Sequence, residues 1–246
     1  MFPIRDETPH FLTPIVTYGI IAANVAAWYY WQGLGTHPAL VDSLCEMGMI
    51  PGEFLHRLPA GLVVPLGPES VCILGSSQTW FMPLTSIFLH GGWLHLLGNM
   101  WFMWIFGNNV EDSMGHTRFA VFYLVCGLAA TALQVVSDPD SGVPVVGASG
   151  AIGGVMGAYI VLYPRVRVHM IMFFGFFFFR FVVPASFMLG YWFLIQVLGG
   201  YSSIGEQVGT AFWAHIGGFA AGAVLIVFFR DSELVRRHPH YGWKRS

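Results

Sequence analysis

Long, nearly uncharged apolar runs recur along this sequence, and they limit the fold more than any other feature. Six of them approach the roughly 20 residues that a helix needs to cross the hydrocarbon layer of a membrane. The runs are continuous rather than alternating, which favours helices over the strands of a barrel. The predicted spans are 15–31, 93–107, 119–136, 146–163, 182–198 and 211–229. The sequence therefore predicts an all-α polytopic membrane protein with six transmembrane helices.

The balance of charged and apolar residues supports this prediction. Of the 246 residues, 55% are hydrophobic and only 10% are charged, whereas a soluble domain carries roughly 25% charged residues. Lipid must therefore contact much of the surface. A net charge of −2 provides no basic surface, so a nucleic-acid partner is not expected. We treat residues 1–246 as a single membrane domain whose core motifs occupy 81–229, followed by a short basic tail, 230–246.

The distribution of lysine and arginine predicts the orientation. With the N-terminus in the cytoplasm, only Arg57 lies in an outer segment, and nine basic residues lie in inner segments. These nine are Arg5, Arg118, Arg165, Arg167, Arg230, Arg236, Arg237, Lys244 and Arg245. Both termini are therefore expected in the cytoplasm. No cleavable leader is expected, because the mixed stretch Arg5-Asp6-Glu7 precedes the first apolar run and no small-residue cleavage site follows it.

Two connecting segments do not have the composition of ordinary loops. Segment 33–92 is long for a structureless loop and contains many apolar residues, so it is expected to fold and to rest partly on the membrane surface. Its Cys45 and Cys72 either pair in an oxidising compartment or stay unpaired. Segment 168–181 contains four consecutive phenylalanines and is too apolar for a water-exposed loop. It is expected to be an interfacial segment that leads into the fifth span.

Four polar residues inside the predicted spans are candidates for function: His95, Asn99, Ser149 and His215. Such residues are costly in a membrane, although a single serine usually only bonds the backbone of its own helix. Counted from the cytoplasmic ends of their spans, all four lie at heights of about 17–24 Å. Independent packing residues have no reason to share one depth. We therefore predict that the four residues form one site.

The residue types at this depth are those of nucleophilic catalysis. Ser149 lies where a glycine-flanked turn enters a helix, whose free N–H groups suit a developing oxyanion. His215 is the predicted base, because it is the histidine on another span at that depth. His95 and Asn99 are four residues apart on one helix face, so both can donate to the oxyanion together with the Ser149 N–H. No carboxylate lies at this depth, which favours a Ser–His dyad over a triad.

Small residues supply the close helix approach that such a dyad requires. Gly150 and Gly154 lie four residues apart on the fourth span, and Gly218 and Gly222 have the same spacing on the sixth. This spacing permits tight crossings of helices in lipid. Generic helix packing explains the glycines equally well.

Together these motifs resemble the rhomboid family of intramembrane serine proteases, over roughly residues 81–229. The motifs are Gly147-Ala148-Ser149-Gly150, Ala214-His215-Ile216-Gly217-Gly218, and His90 followed by His95, Asn99, Gly107 and Glu111. The resemblance implies a Ser149–His215 dyad with an acyl-enzyme intermediate, assisted at the oxyanion by His95 and Asn99. It implies cleavage in or beside a transmembrane segment of a membrane-protein substrate, with no cofactor and no metal.

The resemblance extends to the substrate gate. Trp192 and Phe193 resemble the gate, and segment 199–209 resembles a cap above it.

The chain departs from the family pattern in two places. Many relatives have Trp-Arg four and three residues before the threonine that matches Thr85, where this chain has Phe81 and Met82. Gly153 stands where some relatives have an aromatic residue that stacks on the histidine, so another group must orient His215.

Other functions stay open on the sequence. A catalytically inactive rhomboid-like protein that binds membrane clients would share the fold. A small transporter is a third class, but no internal repeat supports it. A metal site from His90, His95 and His215 is a fourth, and it lacks an acidic or thiolate ligand at that depth. The compact plan without a transit peptide favours a bacterial cytoplasmic membrane, with the site opening to the outer face.

Overall fold

A computed structural model describes residues 2–67, 70–75, 79–175, 177–203 and 210–241. Its helices are α1 (Ile15–Tyr30), α2 (Ala39–Met47), α3 (Pro51–Phe54), α4 (Met82–Thr85), α5 (Trp93–Met114), α6 (His116–Ser137), α7 (Ser149–Leu162), α8 (Ala185–Ser202), α9 (Phe212–Phe229) and α10 (Ser232–Arg237). Its strands are β1 (Phe2–Asp6), β2 (Val63–Gly67), β3 (Ser70–Ile73), β4 (Arg167–Phe174) and β5 (Phe177–Pro184).

The centre of the bundle is α7, which is buried along nearly its whole length. It contacts α5, α6, α8 and α9. At the glycine contacts between α7 and α9, the two helices touch through their backbones. A β-carbon on Gly218 would fall on the carbonyl oxygen of Gly150, and one on Gly222 would fall on that of Gly154. The glycines expected to permit a close crossing therefore lie at the contact between these two helices.

Hydrogen bonds between the connecting segments group them at two ends of the bundle. At one end β1 pairs with β4, and the N–H of Asp231 after α9 donates to the carbonyl of Ser113 near the end of α5. At the other end Met49 pairs with Val145, and the N–H of Gly147 donates to the carbonyl of Ser86. The N-terminal segment and the C-terminal end of α9 therefore lie at the same end of the bundle.

Each predicted span overlaps a helix, but the bounds of the helices differ from the predicted bounds. Among the described residues two helices, α6 and α9, are long and apolar enough to cross a membrane, and α1 and α7 are apolar but shorter. Six crossings are therefore not confirmed. The second predicted span is too short, since α5 continues to Met114, and the fifth begins late, at Ala185 instead of residue 182.

The all-α prediction is wrong for the connecting segments. Segment 168–181 is expected to be interfacial, but its residues 168–174 and 177–181 belong to the antiparallel strands β4 and β5, with β1 added to β4 as a third strand. Pairing satisfies the backbone groups of two apolar stretches. Around the tip of the hairpin both strands carry exposed phenylalanines, such as Phe173 opposite Phe178. Near the tip, therefore, no apolar–polar alternation marked these strands in the sequence.

Segment 33–92 is folded, as expected. It contains α2, α3, the β2–β3 hairpin and α4 around a small core that includes Ile50, Val64 and Leu74. Cys45 and Cys72 are joined by a disulfide, which settles the choice that the sequence left open. Pairing ties α2 to the β2–β3 hairpin and removes conformational freedom from the unfolded chain.

Buried acids tie the N-terminal segment to the end of α5. The carboxylate of Glu111 accepts hydrogen bonds from the N–H groups of Val16 and Thr17 and from the Thr17 hydroxyl, at 2.7–3.0 Å. It thereby caps the first turn of α1, where the helix dipole favours negative charge. Next to it, Asp112 accepts the N–H groups of Phe11 and Leu12.

A third acid, the half-buried Asp6, joins the N-terminal strand to α7. The carboxylate of Asp6 accepts hydrogen bonds from the Tyr159 hydroxyl and the Asn109 amide. Burial raises the pKa of Asp6, and the Tyr159 hydrogen bond opposes that rise. The N-terminal segment is therefore held by polar contacts at the end of the bundle opposite Ser149.

Candidate active site

The structure brings Ser149 and His215 into hydrogen-bond contact. Ser149 is the first residue of α7, and His215 lies in the first turn of α9. The Nε2 atom of His215 is 2.8 Å from the Oγ atom of Ser149. Both side chains are half-buried. The spacing is within the reach over which a histidine can take a serine proton.

The turn before Ser149 depends on a glycine. Gly147 has a φ of +130°, which L side chains rarely adopt, and its N–H donates to the Ser86 carbonyl at 2.9 Å. A β-carbon there would lie 2.7 Å from the Nε2 atom of His95. The turn therefore needs glycine for both its conformation and its space. It leads directly into α7, whose first N–H groups have no acceptor within the helix.

His95 and Asn99 lie on the helix that faces this turn. The Nδ1 atom of His95 accepts the N–H of Gly91 at 3.3 Å. A neutral ring then carries its proton on Nε2, the atom beside Gly147. Asn99 is 8% exposed, and within the described residues its Nδ2 atom has no hydrogen-bond partner. Both side chains thus offer N–H donors, and the Asn99 donor is unused.

Sequence reasoning assigned no role to Gln196, which extends the Ser149–His215 contact to a third side chain. Its Oε1 atom is 2.7 Å from the Nδ1 atom of His215, and its side chain is buried. A signal was present, because Gln196 is an amide inside the apolar run of the fifth predicted span. A carboxylate is the usual third member of such a site, and Gln196 carries an amide instead.

The residues assigned to the substrate gate pack against the same histidine and its helix. The rings of Trp192 and His215 have centroids 5.7 Å apart, and Phe193 stacks on Phe219 at 4.6 Å. Trp192 therefore lies beside the proposed base. Of the predicted cap, residues 204–209 lie outside the described residues. The gate and cap functions stay predictions.

A narrow cleft reaches Ser149 from the side of α6. It is lined mainly by small side chains and backbone, including those of Gly127, Ala130, Val146 and Ala214. A small apolar group fits such a space.

Comparison with known proteins supplies independent support for the fold. The family model for the Rhomboid domain matches residues 77–232, which is more than half of the chain. RHOMBOID-like protein 5 of Arabidopsis thaliana is 28% identical over 175 residues, which are 64% of this chain and 56% of that protein. The rhomboid protease GluP of Bacillus subtilis is 32% identical over 163 residues, 66% of this chain and 29% of GluP.

A mammalian relative matches over more of the chain. The mitochondrial presenilin-associated rhomboid-like protein of Bos taurus is 27% identical over 226 residues, 90% of this chain and 50% of that protein. The chain spans about half the length, or less, of these relatives. They come from a plant, a bacterium and a mammal, so they do not support the prediction of a bacterial membrane. The extent of the domain match, with the motifs at Ser149 and His215 inside it, shows that this chain belongs to the rhomboid family.

Proposed function

We propose that this chain is an intramembrane serine endopeptidase that cleaves membrane proteins in or beside a transmembrane segment. The observation that carries the proposal is the 2.8 Å contact between Ser149 Oγ and His215 Nε2. An inactive client-binding protein has no need for this contact, for the glycine turn at Gly147 or for the unused N–H donor of Asn99. The proteases among the relatives agree with the proposal, whereas other relatives are named only as rhomboid-like.

The proposed reaction is acyl transfer to Ser149. His215 Nε2 takes the hydroxyl proton while Oγ bonds to the scissile carbonyl carbon, and the carbonyl electrons move to its oxygen. The Ser149 N–H, His95 and Asn99 donate to that oxyanion. When the carbonyl re-forms, the C–N bond breaks and His215 returns its proton to the leaving amine. Water, deprotonated by His215, then attacks the ester and releases a carboxylic acid and free Ser149.

The proposed membrane arrangement has six spans formed around α1, α5, α6, α7, α8 and α9, with both termini in the cytoplasm. The Cys45–Cys72 disulfide supports this orientation, because disulfides persist in oxidising compartments. Its loop is tied to the Ser149 end of the bundle by the Met49–Val145 pairing. The site therefore opens toward the outer face, away from the basic segments. Substrate segments would enter beside Trp192 and Phe193 on α8.

The test is labelling by a fluorophosphonate probe, which reacts only with activated serines. Purified wild-type protein is expected to label, and Ser149→Ala and His215→Ala are expected to lose labelling without loss of folding. Ser137→Ala is the matched control, since the Ser137 hydroxyl only bonds the Leu133 carbonyl of its own helix. Undiminished labelling of Ser149→Ala would refute the assignment. A folded wild type that never labels would favour the client-binding function.

A further inference from the structure

The second ring nitrogen of His215 is in hydrogen-bond contact with a side chain of the neighbouring helix α8. Its Nδ1 atom lies 2.7 Å from Oε1 of Gln196, whose side chain is only 6% exposed. A glutamine buried to this degree retains little freedom to rotate, so the contact constrains the imidazole ring. Gln196 and His215 are on different helices, and the contact therefore depends on how α8 packs against α9.

The second half of the Gln196 amide fixes which of its atoms faces the histidine. The Nε2 atom of Gln196 lies 3.2 Å from the backbone carbonyl of Trp192, one turn earlier in α8. A carbonyl oxygen can only accept, so the NH₂ group of the amide must face it. The amide oxygen is then the atom that faces His215 Nδ1. The reversed amide would place the Gln196 oxygen against the Trp192 carbonyl oxygen, and neither atom carries a hydrogen to donate.

This orientation determines the tautomer of His215. An amide oxygen only accepts, so Nδ1 must carry the proton. In the neutral ring Nε2 is then the acceptor, and it lies 2.8 Å from the Ser149 hydroxyl. The hydrogen bonds form one directed chain from Ser149 through His215 and Gln196 to the Trp192 carbonyl. Every donor in this chain has an acceptor, and the chain leaves His215 ready to take the serine proton.

We infer that Gln196 is a positioning residue that holds His215 in the tautomer able to accept the Ser149 proton. The inference rests on the proposed protease function and adds a third partner to its dyad. In Ser–His–Asp enzymes a carboxylate performs this task by accepting the Nδ1 proton and orienting the ring. Gln196 also accepts the Nδ1 proton and orients the ring, but it is uncharged. The protein therefore avoids the cost of burying a carboxylate.

No other group near His215 in the described part of the chain orients its Nδ1 atom. Gly153, on the facing side of α7, has no side chain, and a β-carbon there would already lie 3.2 Å from the backbone oxygen of His215. The ring of Trp192 lies beside the imidazole without a hydrogen bond to Nδ1. Among the described residues the amide of Gln196 is the recorded side-chain partner of that atom.

The test replaces Gln196 by leucine, which has a similar size and no acceptor. We expect Gln196→Leu to remain folded and its rate of fluorophosphonate labelling to fall at least about tenfold. Nitrogen-15 NMR of histidine-labelled protein, at a pH where the ring is neutral, reads the tautomer directly. The His215 signals, assigned by difference from His215→Ala, should show Nδ1 protonated in the wild type and a mixture of tautomers in the variant.

Ser137→Ala is the matched control, since it removes a side-chain bond to the Leu133 carbonyl within α6, a helix that contributes no residue to the hydrogen-bond chain. It should change neither the labelling rate nor the tautomer. If Gln196→Leu labels at the wild-type rate, or labels slowly while His215 keeps the wild-type tautomer, the positioning function is overturned. A wild type that does not label contradicts the protease proposal instead. The NMR comparison does not need activity, so it still decides the function of Gln196.

Discussion

The side-chain nitrogen of Asn99 is buried without a hydrogen-bond partner among the described residues. A buried donor that lacks an acceptor costs about 1–3 kcal/mol of stability. Asn99 lies one helical turn from His95, whose Nε2 atom is beside the Gly147 turn. A developing oxyanion at Ser149 would supply an acceptor that the resting protein lacks. The unpaired Asn99 donor thus lowers the stability of the resting protein, and the same donor is available for the proposed stabilisation of the transition state.

Replacing Asn99 by leucine separates these two effects. Leucine keeps the shape and removes the unpaired donor, so we expect a melting temperature equal to or above that of the wild type. The turnover number should fall about 10²–10³-fold with little change in KM, as when other oxyanion donors are removed. Asn108→Ala, on the same helix, is the control. Stability and activity that fall together in Asn99→Leu would instead make Asn99 a structural residue.

At the scale of elements, the alignment of the dyad depends on the contact between α7 and α9. Ser149 and His215 each lie in the first turn of one of these helices. The helices touch through the backbone, at Gly218 against Gly150 and Gly222 against Gly154. A side chain at either contact must push the helices apart, and that displacement also separates the two reacting atoms.

Gly218→Ala tests this dependence. Its β-carbon has no room against the Gly150 carbonyl, so we expect a loss of stability of about 1–3 kcal/mol from overpacking and a loss of fluorophosphonate labelling. Gly190→Ala is the control, because nothing lies within 4 Å of the added carbon and alanine favours a helix. Wild-type melting and labelling of Gly218→Ala would show that the α7–α9 contact tolerates a methyl group.

The sequence predicted the helices of this fold well because a continuous apolar run of fixed length has few alternatives in lipid. The predicted first span, 15–31, differs from α1 by one residue at its end. The β4–β5 hairpin was missed for a physical reason. Its strands are apolar on both faces near the tip, so the period-two signal of a half-buried strand is absent.

The candidate site was predictable to the extent that its residues share a depth. Counting along spans places Ser149 and His215 in one layer, but depth does not tell which side chains face each other. Gln196 contacts His215 only because of how α8 is rotated and packed against α9. That rotation is set by contacts such as Phe193 on Phe219, which a single sequence does not encode in a readable pattern.

At the scale of the whole molecule, buried carboxylates hold the helices together at the end of the bundle opposite Ser149. Glu111 is fully buried, and its oxygens accept two backbone N–H groups and the Thr17 hydroxyl of α1, with His116 as a further partner. Hydrogen bonds to a charged acceptor contribute more than neutral ones. This cluster joins α1, α5 and the start of α6, and it is remote from the dyad.

Glu111→Gln should therefore lower stability without altering the chemistry. The amide keeps one acceptor oxygen, but it brings an NH₂ group against backbone donors and removes the charge at the start of α1. We expect a loss of about 2 kcal/mol in the free energy of unfolding, and a labelling rate at low temperature equal to that of the wild type. Thermal melting in detergent measures the first effect. The exposed Glu233→Gln is the control; equal melting of the two variants would contradict this function of Glu111.

In the proposed enzyme the hydrogen bonds of Ser149, His215 and Gln196 are divided among three helices, which has a consequence for inhibition. Nucleophile and base are fixed to α7 and α9, whose backbones touch, but the partner of the base is carried by α8, the helix that also bears Trp192. A compound wedged between α8 and α9 would draw the amide away and leave the imidazole free to adopt the unproductive tautomer. Such a compound would inhibit without an electrophilic warhead and without resembling a peptide, because it would never have to touch the serine.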